Sequence, residues 1–299
     1  MVEEKVVQAS SHPWVANGQG SVRFGIVGGP MGDWPILRDF VQMVEGLGFD
    51  SYWRPDHPLL TPDCWTTLAA VAASTQRLRL GSMVSCVFYR NPVLLARIVA
   101  DVDRISQGRV ILGLGAGDME PEFRAMGLAC PPVRERQAAL AEALQVVPRL
   151  LRGETVSLFQ GTHCRLEGVT LQPPAVQQPY VPLVVAGGGE RTTLRLVAQY
   201  ADACNIFGGP DEVAHKIDVL RRHCDAVGRN PNEIEVTAMY RDIPRGATVD
   251  DIVRGAEALA KIGVSTVVTG AVGDDPGGWL ESTFGPAMEQ LTAIEPAPL

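Results

Sequence analysis

Short apolar, β-rich runs alternate with helix-forming runs along nearly the whole chain, and eight such alternations admit few folds. The strand-like segments are Arg23–Val27, Ser51–Trp53, Leu78–Ser85, Val110–Leu114, Leu183–Ala186, Ala203–Ile206, Glu233–Tyr240 and Thr266–Thr269. Helical runs follow at Ile36–Leu47, Trp65–Ser74, Val93–Ser106, Arg134–Leu151, Thr192–Tyr200, Asp211–Val227, Asp250–Ile262 and from about Trp279. Gly48 is placed to take the left-handed conformation that ends the first helix. Strand-to-helix alternation predicts a parallel sheet covered by helices. The count of eight favours a closed α/β structure, a (β/α)8 TIM barrel, over an open doubly wound sheet. The chain has 299 residues, which suits one barrel of roughly 250 residues with insertions. Residues 21–299 are accordingly expected to form a single domain, preceded by a flexible arm over residues 1–20. One stretch, Glu154–Pro182, breaks the rhythm. Its alternating runs Thr155–Phe159 and His163–Leu171 flank Gln160-Gly161-Thr162 and predict a hairpin-bearing insertion that acts as a lid.

Composition narrows the function. The formal charge is −8 without a basic block, which disfavours nucleic acid and anionic membrane as partners. No apolar run is long enough to span a bilayer. Six cysteines lie far apart with no C-x-x-C pair, so neither a zinc site nor a disulfide framework is indicated, and a cytoplasmic setting is expected. The histidines have no metal-ligand spacing, and no metal is expected. Only three of the 26 basic residues are lysines (Lys5, Lys216, Lys261). An anion site would therefore be read by arginine or backbone N–H groups.

In a barrel of this kind, chemistry sits at the C-terminal ends of the strands. Asp56-His57 follows strand 2 between Pro55 and Pro58. A carboxylate beside an imidazole suits proton transfer near neutral pH, although a turn-capping Asp and a solvated His would read the same way. Gly113-Leu-Gly115-Ala-Gly117 follows strand 4 but lacks the sixth-position glycine of a dinucleotide fingerprint. It fits close backbone approach to a flat ligand and a tight barrel turn equally well. Gly187-Gly188-Gly189-Glu190-Arg191-Thr192 opens a helix after a buried strand, and free N–H groups there favour a phosphate over a plain turn, with Arg191 adding a charge-assisted contact. Ser82, Met83 and Ser85 end strand 3. Asp118, Glu120 and Glu122 form an acidic loop after strand 4, where charges are more often solvated than catalytic.

Taken together, Asp56-His57, the Gly81–Pro92 segment with its YRNP ending, RISQGR at 104–109, GLGAG and AGGGERT followed by Ala201-Asp202 resemble the bacterial luciferase-like family of flavin- and deazaflavin-dependent oxidoreductases. The resemblance covers about Arg23 to Gly209. It implies the same barrel with an insertion, and it looks closest to the branch that uses coenzyme F420, with FMN as the alternative cofactor. By that resemblance Asp56, Ser82, Met83, Ser85, Gly115 and Gly117 surround the cofactor ring, and Gly187, Gly188, Gly189, Arg191 and Thr192 bind its phosphate. Ser82-Met83 matches a position where relatives have a non-prolyl cis peptide. His57 is the expected proton donor or acceptor, tuned by Asp56 or Asp118. The implied reaction is hydride transfer with a small carbonyl, alcohol, imine or enone substrate. Two other readings are an FMN-dependent monooxygenase fed by a flavin reductase and a non-catalytic flavin-binding barrel. A homodimer is expected. Asp118-Met119 stands where many relatives have Trp-Asn, and Leu59-Leu60-Thr61 where the sugar-phosphate dehydrogenases have Trp, so a sugar-phosphate substrate is not carried over. The loops after strands 7 and 8 are expected to shape the substrate pocket.

Overall fold

The computed structural model describes residues 11–30, 33–240, 247–270 and 275–299. The loops expected to shape the pocket after strands 7 and 8 fall mostly outside these residues, as do the first ten residues of the arm. In chain order the structure runs α1 (Pro13–Gly18), β1 (Arg23–Val27), α2 (Trp34–Gly46), β2 (Ser51–Arg54), α3 (Cys64–Ser74), β3 (Arg79–Ser82), β4 (Ser85–Cys86), α4 (Pro92–Ser106), β5 (Val110–Gly115), α5 (Glu120–Ala125) and α6 (Val133–Leu151). It continues with β6 (Val156–Gln160), β7 (Arg165–Val169), β8 (Leu183–Ala186), α7 (Thr193–Tyr200), β9 (Ala203–Phe207), α8 (Pro210–Val227), β10 (Glu235–Tyr240), α9 (Val249–Ala260), β11 (Val264–Gly270), α10 (Pro276–Trp279) and α11 (Gly285–Leu291).

Parallel pairing runs β3–β2–β1–β11–β10–β9–β8–β5, and β5 pairs back onto β3. The sheet therefore closes, and the expected (β/α)8 barrel is present. Gly48 has φ +89°, as the end of α2 requires. The single strand expected over Leu78–Ser85 is instead two pieces. Both β3 and β4 pair with β5, and the Met83–Val84 peptide between them is cis. The non-prolyl cis bond thus lies one residue beyond the expected Ser82–Met83.

Side chains alternate across a strand, which splits the apolar residues into two layers. Tyr52, Leu80, Leu112 and Leu114 face the helices in the larger core. Trp53, Met83, Ile111, Val184, Ala203, Met239 and Val268 fill the barrel itself. The Trp53 indole fits because its neighbours on both sides are glycine. A Cβ on Gly81 would fall inside its ring, and one on Gly25 would lie 2.6 Å from Nε1. That nitrogen donates to Ser51 Oγ at 2.9 Å, so the buried polar atom is satisfied.

Two expectations are corrected here. The flexible arm over residues 1–20 includes α1, which plugs the base of the barrel. Trp14 is 1% exposed and packs with Val15 against the interior cluster. His12 caps this helix, accepting the Trp14 N–H at Nδ1 (3.0 Å) and donating from Nε2 to the Tyr180 carbonyl (2.9 Å). The Arg23 guanidinium stacks 4.9 Å from the Trp14 ring centroid and pairs with buried Glu235. The hairpin, β6 against β7, is not a lid over the mouth. It leaves α6 at the base of the barrel, and its turn reaches only halfway back along that helix. There the Glu142 carboxylate accepts the N–H groups of Thr162, His163 and Cys164, each at 2.8 Å. Asp103, near the base end of α4, accepts the Val176 and Gln177 N–H groups at 2.8 and 2.9 Å. The insertion is therefore fastened along the flank and base, away from the C-terminal strand ends.

Candidate active site

Pro55 turns the chain out of β2 and places Asp56 and His57 at the rim of the barrel mouth. The His57 carbonyl accepts the N–H groups of Leu60 and Thr61, both at 2.9 Å, and the Thr61 hydroxyl at 3.1 Å. That tight turn fixes the backbone beneath the imidazole. The ring is held by Glu122 on α5, with Nδ1 2.9 Å from Oε2. The same oxygen accepts the Tyr89 hydroxyl at 3.0 Å, and Oε1 accepts the Leu59 N–H at 3.2 Å. Burial pushes the Glu122 carboxyl upward, but these donors outweigh it and leave it below the ordinary glutamate range. An ionised Glu122 requires a proton on Nδ1. Nε2 is then the ring nitrogen available for chemistry, and it has no partner among the described residues. This is the carboxylate–imidazole arrangement that fixes a tautomer and stabilises the imidazolium when it forms.

The carboxylate bonded to the ring is thus Glu122, and among the described residues neither Asp56 nor Asp118 bonds to it. Asp118 is exposed on the turn after β5. Asp56 is buried at 3% exposure and turns away into the wall. Its Oδ2 accepts Arg90 Nη1 at 2.6 Å and the Cys86 N–H at 3.3 Å. Burial raises its pKa despite the Arg90 contact. The acidic loop was visible in the sequence, but α5 has only six residues. That is too short for periodicity to show which acid faces inward. Phe123, fully buried against Tyr89 at 5.2 Å between centroids, anchors the helix so that Glu122 points at His57.

The floor of the mouth differs from expectation. Ser82 lies in the barrel wall, its Oγ bonded to both the carbonyl and the N–H of Gly113 (2.9 and 3.1 Å). Ser85 Oγ is taken by the buried Trp65 indole at 2.9 Å. The Ser82 hydroxyl thus both donates and accepts within the wall, whereas Ser85 Oγ accepts and its O–H has no acceptor among the described residues. A Cβ on Gly113 would fall on the Ser82 carbonyl oxygen, with Val84 next at 2.8 Å, and one on Gly115 would lie 2.4 Å from Val84 Cγ2. Their smallness is used by internal packing between β3, β4 and β5. Gly117 has φ +76°, and its carbonyl accepts Arg136 Nη1. Met83, Val84 and Met239 form an apolar floor with Trp53 beneath.

At the end of β8, Gly187 has φ +119°. A Cβ on Gly189 would meet Thr193 Oγ1 at 2.7 Å, and one on Gly188 would meet Lys216 Cε at 3.2 Å. The glycines thus let the loop lie flat on α7 and α8. The N–H groups of residues 188–192 have no protein acceptor among the described residues, and the Arg191 side chain is exposed beside them. Lys216 donates to Glu190 at 2.7 Å, with His215 on the same oxygen at 3.0 Å. Asn205, on the neighbouring strand, donates from Nδ2 to Thr237 Oγ1 at 2.8 Å. Its buried Oδ1 has no partner among the described residues. An apolar floor, one orphaned buried acceptor and a glycine-lined N–H cradle fit a planar ring bearing a phosphate tail. Among the described residues no group of three or more His, Cys, Asp and Glu side chains converges to hold a metal. No described helix is long and apolar enough to cross a membrane.

A family model described as luciferase-like monooxygenase matches residues 10–260. Solved structures share the fold at low identity. A coenzyme F420-dependent tetrahydromethanopterin reductase from Methanopyrus kandleri superposes with TM-score 0.77 at 20% identity, covering 92% of this chain and 98% of that one. An F420-dependent secondary alcohol dehydrogenase, solved with an F420–acetone adduct, gives 0.79 at 17%, covering 91% and 99%. The monooxygenase RslO1 from Streptomyces bottropensis gives 0.74 at 20%, covering 90% and 99%.

Proposed function

The chain belongs to the luciferase-like monooxygenase family, and from that premise we propose that it is an F420-dependent oxidoreductase. It moves a hydride between the deazaflavin ring and a small carbonyl, alcohol, imine or enone. The observation that carries this reading is the Glu122–His57 pair at the rim of an apolar-floored mouth. When bound, a deazaflavin supplies hydride from the carbon that replaces flavin N5; the protein supplies placement and proton handling. Met83 and Val84 seal the face below the ring and exclude water from it. The N–H groups of Gly188 and Gly189, with Thr192 and Arg191, hold the phosphate. Glu122 keeps the proton on His57 Nδ1, and Nε2 accepts or returns the proton of the substrate oxygen or nitrogen. Six unpaired cysteines support a cytoplasmic setting, and a homodimer belongs to the same reading.

The similarity to monooxygenases favours one second reading, an FMN-dependent monooxygenase served by a separate flavin reductase. Equilibrium binding of the purified apo-protein to F420 and to FMN, followed by fluorescence and gel filtration, separates the two. F420 is expected to bind preferentially and to be reduced by members of an alcohol panel. Binding of FMN alone, with oxygen consumed by its reduced form, would replace this reading with the second.

A further inference from the structure

Among the described residues Arg90 bonds to neither His57 nor Glu122, yet it grips both ends of the loop that carries His57. Its Nη1 donates to Asp56 Oδ2 at 2.6 Å and its Nη2 to Asp63 Oδ2 at 2.6 Å. Asp63 is also fixed, since its Oδ1 caps α3 by accepting the Thr66 N–H at 2.8 Å. Asp56 is sealed, and its second oxygen has no partner among the described residues. Arg90 is therefore the cation that balances a carboxylate sealed from water at 1% side-chain exposure. Tyr89, the preceding residue, holds Glu122, and Glu122 holds the imidazole. The adjacent residues Tyr89 and Arg90 thus secure the ring and the loop beneath it from one short segment after β4. A planar guanidinium can hold two carboxylates with separate prongs, which a lysine ammonium cannot do in fixed geometry.

We propose that Arg90 is a positioning residue for His57: by bridging Asp56 and Asp63 it sets where the imidazole stands against Glu122. The inference rests on His57 being the proton-transfer residue of the reading above. Its decisive test needs neither cofactor nor substrate.

Removing Arg90 alone strands a buried carboxylate and can unfold the chain, so the working variant is R90M/D56N, compared with D56N. D56N keeps the Arg90–Asp63 bridge. The readout is the nitrogen-15 and proton NMR signal of the His57 imidazole in apo-protein. In wild type and D56N the Nδ1 proton is expected to be held by Glu122 and slow to exchange. In R90M/D56N its exchange should quicken by about tenfold or more. Where turnover is measurable, kcat should fall roughly tenfold, as expected for a displaced catalytic group, with KM changed less than about threefold. An unchanged Nδ1 signal in R90M/D56N overturns the proposal, whatever happens to kcat. A changed signal in a chain that binds neither F420 nor FMN upholds the positioning role and removes the reading of the cofactor instead.

Discussion

His57 and Glu122 are brought together by three separate features that agree. These are the turn over the His57 carbonyl, the Leu59 N–H on Oε1, and the burial of Phe123 that aims α5. Replacing His57 with Ala should lower kcat by about 10²-fold or more, the usual contribution of a positioned acid or base, while cofactor affinity stays within about threefold. E122Q keeps the size of the side chain but removes the anion that fixes the tautomer. It should lower kcat by about tenfold or more. Steady-state kinetics paired with cofactor titration checks both, and an E122Q enzyme with wild-type kcat would remove Glu122 from the mechanism. The sequence made His57 legible because histidines are few and this one sits at a strand end. Glu122 was hidden among three acids on a turn, and Asp56 was misread as a ring-facing residue because adjacency to His57 says nothing about direction. Ser82 is engaged with Gly113 inside the wall, and Ser85 accepts the Trp65 indole N–H. The β3–β4 break changes which side chains point inward, and no local pattern announces it.

At the scale of elements, α1 shows how a six-residue helix evades sequence reading. It has no periodicity to detect, yet it is capped at both ends of its short run and carries the Trp that closes the barrel base. Its cap is pH-sensitive. Burial lowers the His12 pKa below the ordinary 6.5, with the Tyr180 carbonyl and Asp202 opposing more weakly. The unfolded chain therefore takes up a proton near pH 6.5 that the folded chain resists. This contribution to stability is complete above pH 6.5 and is lost as pH falls from there toward the lower folded value. Urea unfolding midpoints measured from pH 7.5 to 5 should show the decline, and H12N, which retains a capping oxygen, should flatten it; equal slopes would exclude His12 as its source. The hairpin makes the opposite case, since its strands and turn were legible but its place was not. E142A should speed amide exchange at Thr162, His163 and Cys164 by about tenfold, the loss of one good acceptor for each, and leave turnover within about twofold. A large drop in turnover would mean that the hairpin reaches the mouth after all.

The whole molecule was the most legible level, because strand-to-helix alternation repeated eight times is a global signal that survives errors of a residue or two at each boundary. Its interior was less so. Trp53 fills the barrel between Gly25 and Gly81, and neither glycine looks special in a strand pattern. G81A should destabilise the protein by about 1–3 kcal/mol through overpacking. Adding W53F should recover part of that loss in urea unfolding, and a neutral G81A would show that the indole has room to move. The base plug bears on how the chain comes off the ribosome. The α1 segment emerges before every barrel strand, but the groups it docks against arrive much later: Tyr180 for His12, Asn232 for Gln19 and Glu235 for the adjoining Arg23. Synthesis order and closure order are inverted at this end of the barrel. Through the synthesis of most of the barrel the nascent chain carries an unhoused tryptophan ahead of β1, and the seal on the base cannot be completed until the start of β10 has been made.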